Sequence, residues 1–241
     1  EGGVVSRLPQ PFVVPPSQQA LGTTNSPILA YQAARLTGEQ LRAHGVNLNF
    51  APVVDVNSNA QNPVIGTRAF GENPQIVADF ALAALRGYAE TSVIATLKHF
   101  PGHGDTTVDS HLGLPIATHS RTRLDAVELA PFRAAISAGA PAVMTAHMIF
   151  SALDDRPATL SPVILQELLR GELGFDGLII SDALDMRAIA DRYGAAQAAV
   201  LGKRAGVDLL IPMGDIAEQI GVAEALLIAL DVGDIDEERF T

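Results

Sequence analysis

The sequence has no cysteine, so neither a disulfide framework nor a thiolate metal site is open to it, and the compartment is not fixed by redox chemistry. Positive charge is scarce too: 16 Lys and Arg stand against 27 Asp and Glu, for a formal charge of -11. No basic stripe is present of the kind that nucleic acid or an anionic membrane surface requires, so the expected partner is a small molecule. Nor does any apolar run approach the roughly 20 residues of a membrane span, and the opening "EGGVVSRLPQ" lacks the pattern of a signal peptide. A start at Glu1 without methionine reads as a mature, trimmed or fragmentary chain. What is there is 241 residues, 48% apolar and 18% charged, enough for one substantial globular core. The sequence is silent on oligomeric state.

Short apolar runs rich in β-branched residues alternate with longer stretches of helical periodicity, the pattern of repeated strand-helix units. Five strands are expected, at Val46–Val54, Ser92–Lys98, Ala142–Met148, Gly177–Asp182 and Val207–Pro212. Helices are expected near 28–44, 75–90, 121–138, 161–173, 187–205 and 216–230. Ser161 before Pro162 has the chemistry of a helix start, and Gly45, Gly139 and Gly206 sit where helices should stop. Near-continuous apolar strands joined by helices imply a parallel sheet buried on both faces, hence the α/β class. Asp55, Lys98 with His99, His147 and Asp182 all fall at carboxyl ends of different strands. That spread favours a (β/α)8 TIM-type barrel over an open sheet, which concentrates its site at one switch point. With five strands in view, either three precede Glu1 or the sheet is open.

Lys98–His111, "KHFPGHGDTTVDSH", holds three of the six histidines and one of only two lysines. The "PGHG" turn should throw the chain off the strand end into a mobile loop with few anchors. In an extended segment residues two apart point the same way, so Asp109 can accept a hydrogen bond from one nitrogen of His111. A neighbouring carboxylate favours the protonated form of an imidazole and makes it a competent proton donor. Asp182, directly after "GLIIS", is a short rigid carboxylate at a strand mouth, placed to act as nucleophile. Asp185 is its rival, although it reads more naturally as the N-cap of the helix beginning "DMRAIA".

Blander readings stand beside these. A metal site of His99, His103 and His111 is disfavoured, because Pro101 and Gly102 break any helix that would set two of them on one face; no metal or cofactor is expected. His103 reads as shaping the loop, His147 equally as a core or a cleft residue, and His44 and His119 as surface. Lys98 at a buried strand mouth needs something to bind, since burial of an unpaired ammonium is costly. Arg68 could pair with Glu72 at the surface, Asp55 in "DVNSN" reads as turn chemistry, and the acidic "DVGDIDEERF" as a solvated helix end.

The segments "KHFPGHGDTTVDSH", "GFDGLIISDALDM" and "FAPVVDVNSNAQNPVIGTRAFG" resemble the family 3 glycoside hydrolases, specifically their β-N-acetylglucosaminidase branch. The likeness runs from "EGG" to "AGVDLLIPMG". It implies one N-terminal-type barrel domain over 1–241, lacking its first two to three strands, with an aspartate two residues before "EGG" absent and Val4 where arginine is frequent. It implies a retaining mechanism with Asp182 as nucleophile and His111 as acid/base assisted by Asp109. Lys98, His99, Arg68 and Arg7 are implied on the sugar hydroxyls, with N-acetylglucosaminides of peptidoglycan-derived or related glycans as substrate. The β-glucosidase relatives usually take their acid/base from a second domain, which favours the glucosaminidase branch. The alternatives are a β-glucosidase-like hydrolase, a metal-dependent hydrolase or a non-catalytic sugar-binding fragment.

Overall fold

A computed structural model describes residues 1–237. In chain order its elements are α1 (Gln18–Gly22), α2 (Pro27–Ala43), β1 (Leu48–Asn49), α3 (Pro74–Ala89), β2 (Ile94–Phe100), β3 (Ile116–Ala117), α4 (Arg121–Ala126), α5 (Leu129–Ser137), β4 (Ala142–Thr145), β5 (Ile149–Phe150), a π-type helix (Val163–Glu172), β6 (Leu178–Ala183), α6 (Arg187–Tyr193), α7 (Ala195–Ala205), β7 (Leu209–Ile211) and α8 (Ile216–Asp231). Short 3-10 turns cover Gly66–Arg68 and Ala158–Leu160. The described chain gathers into two compact units. One is Glu1–Thr107 with Ser120–Val143; the other is Val108–His119 with the described residues from Met144 onward.

In the first unit β1 and β2 pair in parallel, Leu48 opposite Ile94, and a further parallel bridge joins Val53 to Lys98. The expected first strand is therefore regular over only two residues and then touches β2 once more near its end. β4 divides between the units, two residues to each. In the second unit β6 and β7 pair in parallel, and β3 and β5 form a separate parallel pair. Parallel strands linked by helices are the α/β arrangement expected.

Local chemistry accounts for most boundaries. Asn73 caps α3 by accepting from Gln75 and Ile76 at 2.9 and 3.3 Å, with Pro74 in the first turn. Asp215 and Glu218 form a reciprocal capping box on α8. Ser161 accepts from Ile164 N–H at 3.1 Å, as its position before Pro162 predicts. Gly45, Gly139 and Gly206 all take positive φ, 78°, 84° and 110°, where helices stop.

Two expected helices are broken. The stretch 121–138 divides after Ala126, since Pro131 can give no hydrogen bond to the Val127 carbonyl and its ring would strike it; in α5 the proline falls in the first turn, where it is tolerated. The stretch 187–205 divides at Gly194, whose φ of 68° leaves the helix. Of the acidic tail, residues 238–240 lie outside the described residues; Asp231–Asp234 are exposed and Ile235 is buried.

Each unit has its own apolar centre. In the first, Phe100 and Phe132 meet edge to face at 5.2 Å, both fully buried, each such ring contributing roughly 1.5–3 kcal/mol by burial. α2 and α3 pack so closely that a Cβ on Gly87 would stand 2.4 Å from the Tyr31 carbonyl oxygen. In the second, Leu160, Leu184, Ile189, Ala198, Ala199 and Val222 form one cluster, against which Leu210 of β7 packs.

Candidate active site

In the first unit the carboxyl end of β2 carries Lys98 and His99, joined by a cis peptide bond. Both side chains are nearly buried, and each has an acidic partner from far away in sequence. Glu1 bonds Lys98 Nζ and takes Arg68 side-on, Nε to Oε2 and Nη2 to Oε1, both at 2.8 Å. Burial alone would push the Glu1 carboxyl up, but the Arg68 hydrogen bonds and the two cationic charges hold it well below the usual carboxylate range. Arg68 Nη2 also lies 3.4 Å from His99 Nε2, and His99 Nδ1 lies 2.7 Å from Asp55 Oδ2. Asp55 can only accept, so Nδ1 carries a proton directed at its carboxylate, and Nε2 is the nitrogen that faces Arg68.

Asp55 is fully buried. It accepts the backbone N–H groups of His99, at 3.1 and 3.2 Å, and of His103, at 2.6 Å. Burial raises its pKa; the His99 charge and hydrogen bond, with the His103 N–H, outweigh that and lower it. The turn chemistry read into "DVNSN" is thus a buried anchor for the whole strand end. His103 Nδ1 faces Thr106 Oγ1 at 3.2 Å, and its carbonyl accepts from Asn62 at 2.8 Å. Gly104 lies so close to Val56 that a Cβ there would be 1.8 Å from the Val56 carbonyl oxygen, which is why "PGHG" needs its second glycine.

The loop expected to be mobile is consequently anchored over its first half, with Phe100–Gly104 and Thr106 buried. The signal missed was long-range: its anchors, Asp55, Asn59 and Asn62, lie more than 40 residues upstream. The candidate carboxylate partner for Arg68 was Glu72, and the structure supplies Glu1. Arg7 is exposed and has no hydrogen bond or ion pair among the described residues, so it is not tied into the Glu1, Arg68, Lys98 and His99 cluster.

In the second unit, Asp109 and His111 meet as expected, but through a turn rather than an extended segment. Asp109 Oδ1 accepts the His111 backbone N–H and faces His111 Nδ1, both at 2.8 Å, while the Asp109 carbonyl accepts from Leu112 and Gly113 at 2.9 and 3.0 Å. This is an Asx turn closed back on an imidazole. It commits Nδ1 to the carboxylate and leaves Nε2 as the nitrogen for other chemistry. The His111 side chain is 61% exposed.

The Ser110 carbonyl, at a buried residue between them, accepts from Ala188 N–H at 3.2 Å. The loop is therefore fastened to α6, six residues beyond Asp182. Asp182 is half-buried near the end of β6, its Oδ1 accepting from Ala183 N–H at 2.8 Å. Between Ile180 and Ala183, β6 holds one residue more than the facing part of β7, Leu209 to Ile211. Such a bulge breaks the alternation of the strand and re-aims the side chain it carries. Asp185 is exposed and is not the N-cap of α6; Met186 takes that position without a side-chain cap. His147 is a satisfied buried residue, 1% exposed.

Residues 1–241 match the sequence profile of the Glycosyl hydrolase family 3 N terminal domain. The chain belongs to family 3 of the glycoside hydrolases. It is 39% identical over 264 aligned residues to Beta-hexosaminidase A of Pseudoalteromonas piscicida, covering 100% of this chain and 44% of that protein. It is 40% identical over 217 residues to a Beta-hexosaminidase of Stenotrophomonas maltophilia (strain R551-3), covering 88% of this chain and 64% of that protein. A solved family 3 β-N-acetylglucosaminidase from Paenibacillus sp. str. FPU-7 superposes with a TM-score of 0.97 at 48% identity, covering 99% of this chain and 46% of that one. This family 3 chain thus spans about half to two thirds of the length of these relatives. Its fold class is the TIM-type barrel expected, of which the described residues hold the five parallel strands β1, β2, β4, β6 and β7.

Proposed function

We propose that the chain carries the catalytic groups of a retaining exo-β-N-acetylglucosaminidase acting on terminal β-linked N-acetylglucosamine in peptidoglycan-derived or related glycans. The observation that carries the reading is the Asp109–His111 turn, an imidazole with Nδ1 held at 2.8 Å by a carboxylate, in the same unit as Asp182 on its bulged strand end. The names of the β-hexosaminidase and β-N-acetylglucosaminidase relatives support the substrate class.

In the first step the Asp182 carboxylate attacks the anomeric carbon while His111 Nε2–H protonates the departing glycosidic oxygen, so the C–O bond breaks as the glycosyl ester forms. In the second, neutral His111 takes a proton from water, the water oxygen attacks the same carbon, and the ester bond breaks to restore Asp182. An imidazole acid/base replaces one of the two carboxyl groups usual in glycosidases, so the carboxyl-separation rule for stereochemistry does not apply directly. Arg68, Lys98 and His99, already fixed by Glu1 and Asp55, and Arg7 are assigned to the sugar hydroxyls.

The test is covalent trapping of the complete protein with a fluorinated N-acetylglucosaminyl fluoride, read by peptide mass. An adduct on Asp182 is expected, and Asp182→Ala should abolish turnover of an aryl N-acetylglucosaminide. Wild-type rates in that variant, or turnover with no adduct on Asp182, would remove Asp182 from the role, whereas neither turnover nor adduct in the wild-type protein would favour a sugar-binding fragment.

A further inference from the structure

We infer that His147 is a positioning residue, which holds the bulged end of β6 and through it the carboxylate of Asp182. The inference rests on the reading of Asp182 as nucleophile. All the groups involved lie within one of the two compact units.

The extra residue between Ile180 and Ala183 means that the β6–β7 ladder cannot serve every backbone group there. Side chains step in. Ile211 N–H donates to Ser181 Oγ at 2.9 Å. The Ala183 carbonyl lies 2.9 Å from His147 Nε2. Leu184 N–H donates to the Ile211 carbonyl at 2.9 Å, so the peptide between Ala183 and Leu184 is gripped at both its C=O and its N–H. Ala183 N–H, on the other side of the same residue, points to Asp182 Oδ1 at 2.8 Å. Fixing Ala183 therefore fixes the donor that orients the carboxylate.

A carbonyl oxygen only accepts, so Nε2 of His147 carries the proton, and in the neutral ring Nδ1 must accept. Its partner is Thr159 Oγ1 at 2.7 Å, which in turn lies 2.8 Å from Thr145 Oγ1. Both threonines are fully buried and His147 is 1% exposed. Thr159 Oγ1 also lies 3.2 Å from the Ala146 carbonyl, but its single proton goes to the shorter contact with Nδ1, so the order of donors runs from Thr145 to Thr159 to His147 to Ala183. A ring fixed at both nitrogens inside the core is a rigid strut, and a shift of about 1 Å at a reacting group costs about a hundredfold in rate.

Two variants of the complete protein test this. Glutamine can bring an amide N–H to the position of Nε2, whereas leucine fills the space without a donor. His147→Leu is expected to lower kcat on an aryl N-acetylglucosaminide about a hundredfold with KM changed by no more than about twofold. It should also speed amide hydrogen exchange at Ala183 and Leu184 by about tenfold or more. His147→Gln should recover most of both. Wild-type exchange at those amides in the leucine variant overturns the proposal. So does a glutamine variant as impaired as the leucine one at an unchanged melting temperature.

Should the leucine variant not fold, Thr159→Val, which releases Nδ1 and leaves the Ala183 carbonyl untouched, is read the same way. Wild-type kcat and exchange in it are equally fatal. Exchange does not depend on the chemistry of Asp182. If the fluorosugar labels some other residue, the nucleophile assignment falls, while the amides still decide whether His147 holds the strand end.

Discussion

Two Asp–His pairs of nearly identical geometry sit in different units and opposite surroundings. Asp55 and His99 meet at 2.7 Å with 0% and 7% of their side chains exposed; Asp109 and His111 meet at 2.8 Å with 27% and 61% exposed. In each, Nδ1 faces the carboxylate, and the carboxylate also accepts the histidine's own backbone N–H. What differs is the second nitrogen. Nε2 of His99 is enclosed beside Arg68, whose own charge is neutralised by Glu1, so the ring is fit to hold something still. Nε2 of His111 is on an exposed side chain, so the ring is fit to exchange a proton with a substrate and then with water. The same pair of residue types is therefore suited to act as scaffold or, on the proposed reading, as reagent according to burial, and removing each should cost a different quantity.

The largest effect is expected at the exposed pair, in rate alone. His111→Ala should slow glycosides with poor leaving groups by about 10²–10⁴-fold, and activated aryl glycosides much less, since only the former need the proton. Because the ring is exposed, the urea midpoint should move little, within about 0.5 kcal/mol of stability. Equal losses on both substrate types would argue against His111 as the acid, and a large fall in stability would erase the contrast with His99. The next effect is on stability. Asp55→Ala strips a buried carboxylate from His99 and leaves two backbone N–H groups without their acceptor, which should cost about 3–5 kcal/mol in urea unfolding. A loss below about 1 kcal/mol would put Asp55 in the class of surface pairs and break the comparison.

The contact of the exposed pair was legible in the sequence because its signal is local. Asp109 and His111 are two residues apart, and two residues apart they meet, even though the backbone makes a turn where an extended segment was expected. The place of Asp182 near a strand end was legible because a β-branched run ends on it. The strand and helix pattern carried over for the same reason, and the break before α5 could have been read from Pro131, four residues beyond Val127. The scaffold pair was not legible. Asp55 is 44 residues from His99, and Glu1 is 67 from Arg68; nothing in "DVNSN" distinguishes a turn aspartate from one that folds back under a distant strand end. The bulge in β6 was equally hidden, since one extra residue in a run of apolar ones leaves the hydrophobic pattern unchanged. The helix after Asp182 begins at Arg187, where it was expected, but its cap was misread: Asp185 has the chemistry of an N-cap, and Met186 takes that position.

Acid should find the scaffold first, and with the smallest effect of the three. The carboxyl groups of Asp55 and Glu1 both have pKa values lowered in the folded chain, from ordinary values of 3.8 and 4.5. A group whose folded pKa is depressed adds stability that is complete above its unfolded value and is lost as pH falls through the folded one. These two groups should therefore leave the urea midpoint level from pH 7 down to about 5, and lower it progressively as pH falls below about 4.5. Asp55→Asn keeps hydrogen-bonding capacity but cannot titrate, so it should start from a lower midpoint at pH 7 and descend less steeply in acid. An asparagine variant with the wild-type slope would mean that Asp55 does not change its proton occupancy on unfolding. The buried pair would then be held by packing around a carboxylate rather than by the charges of His99 and its neighbours.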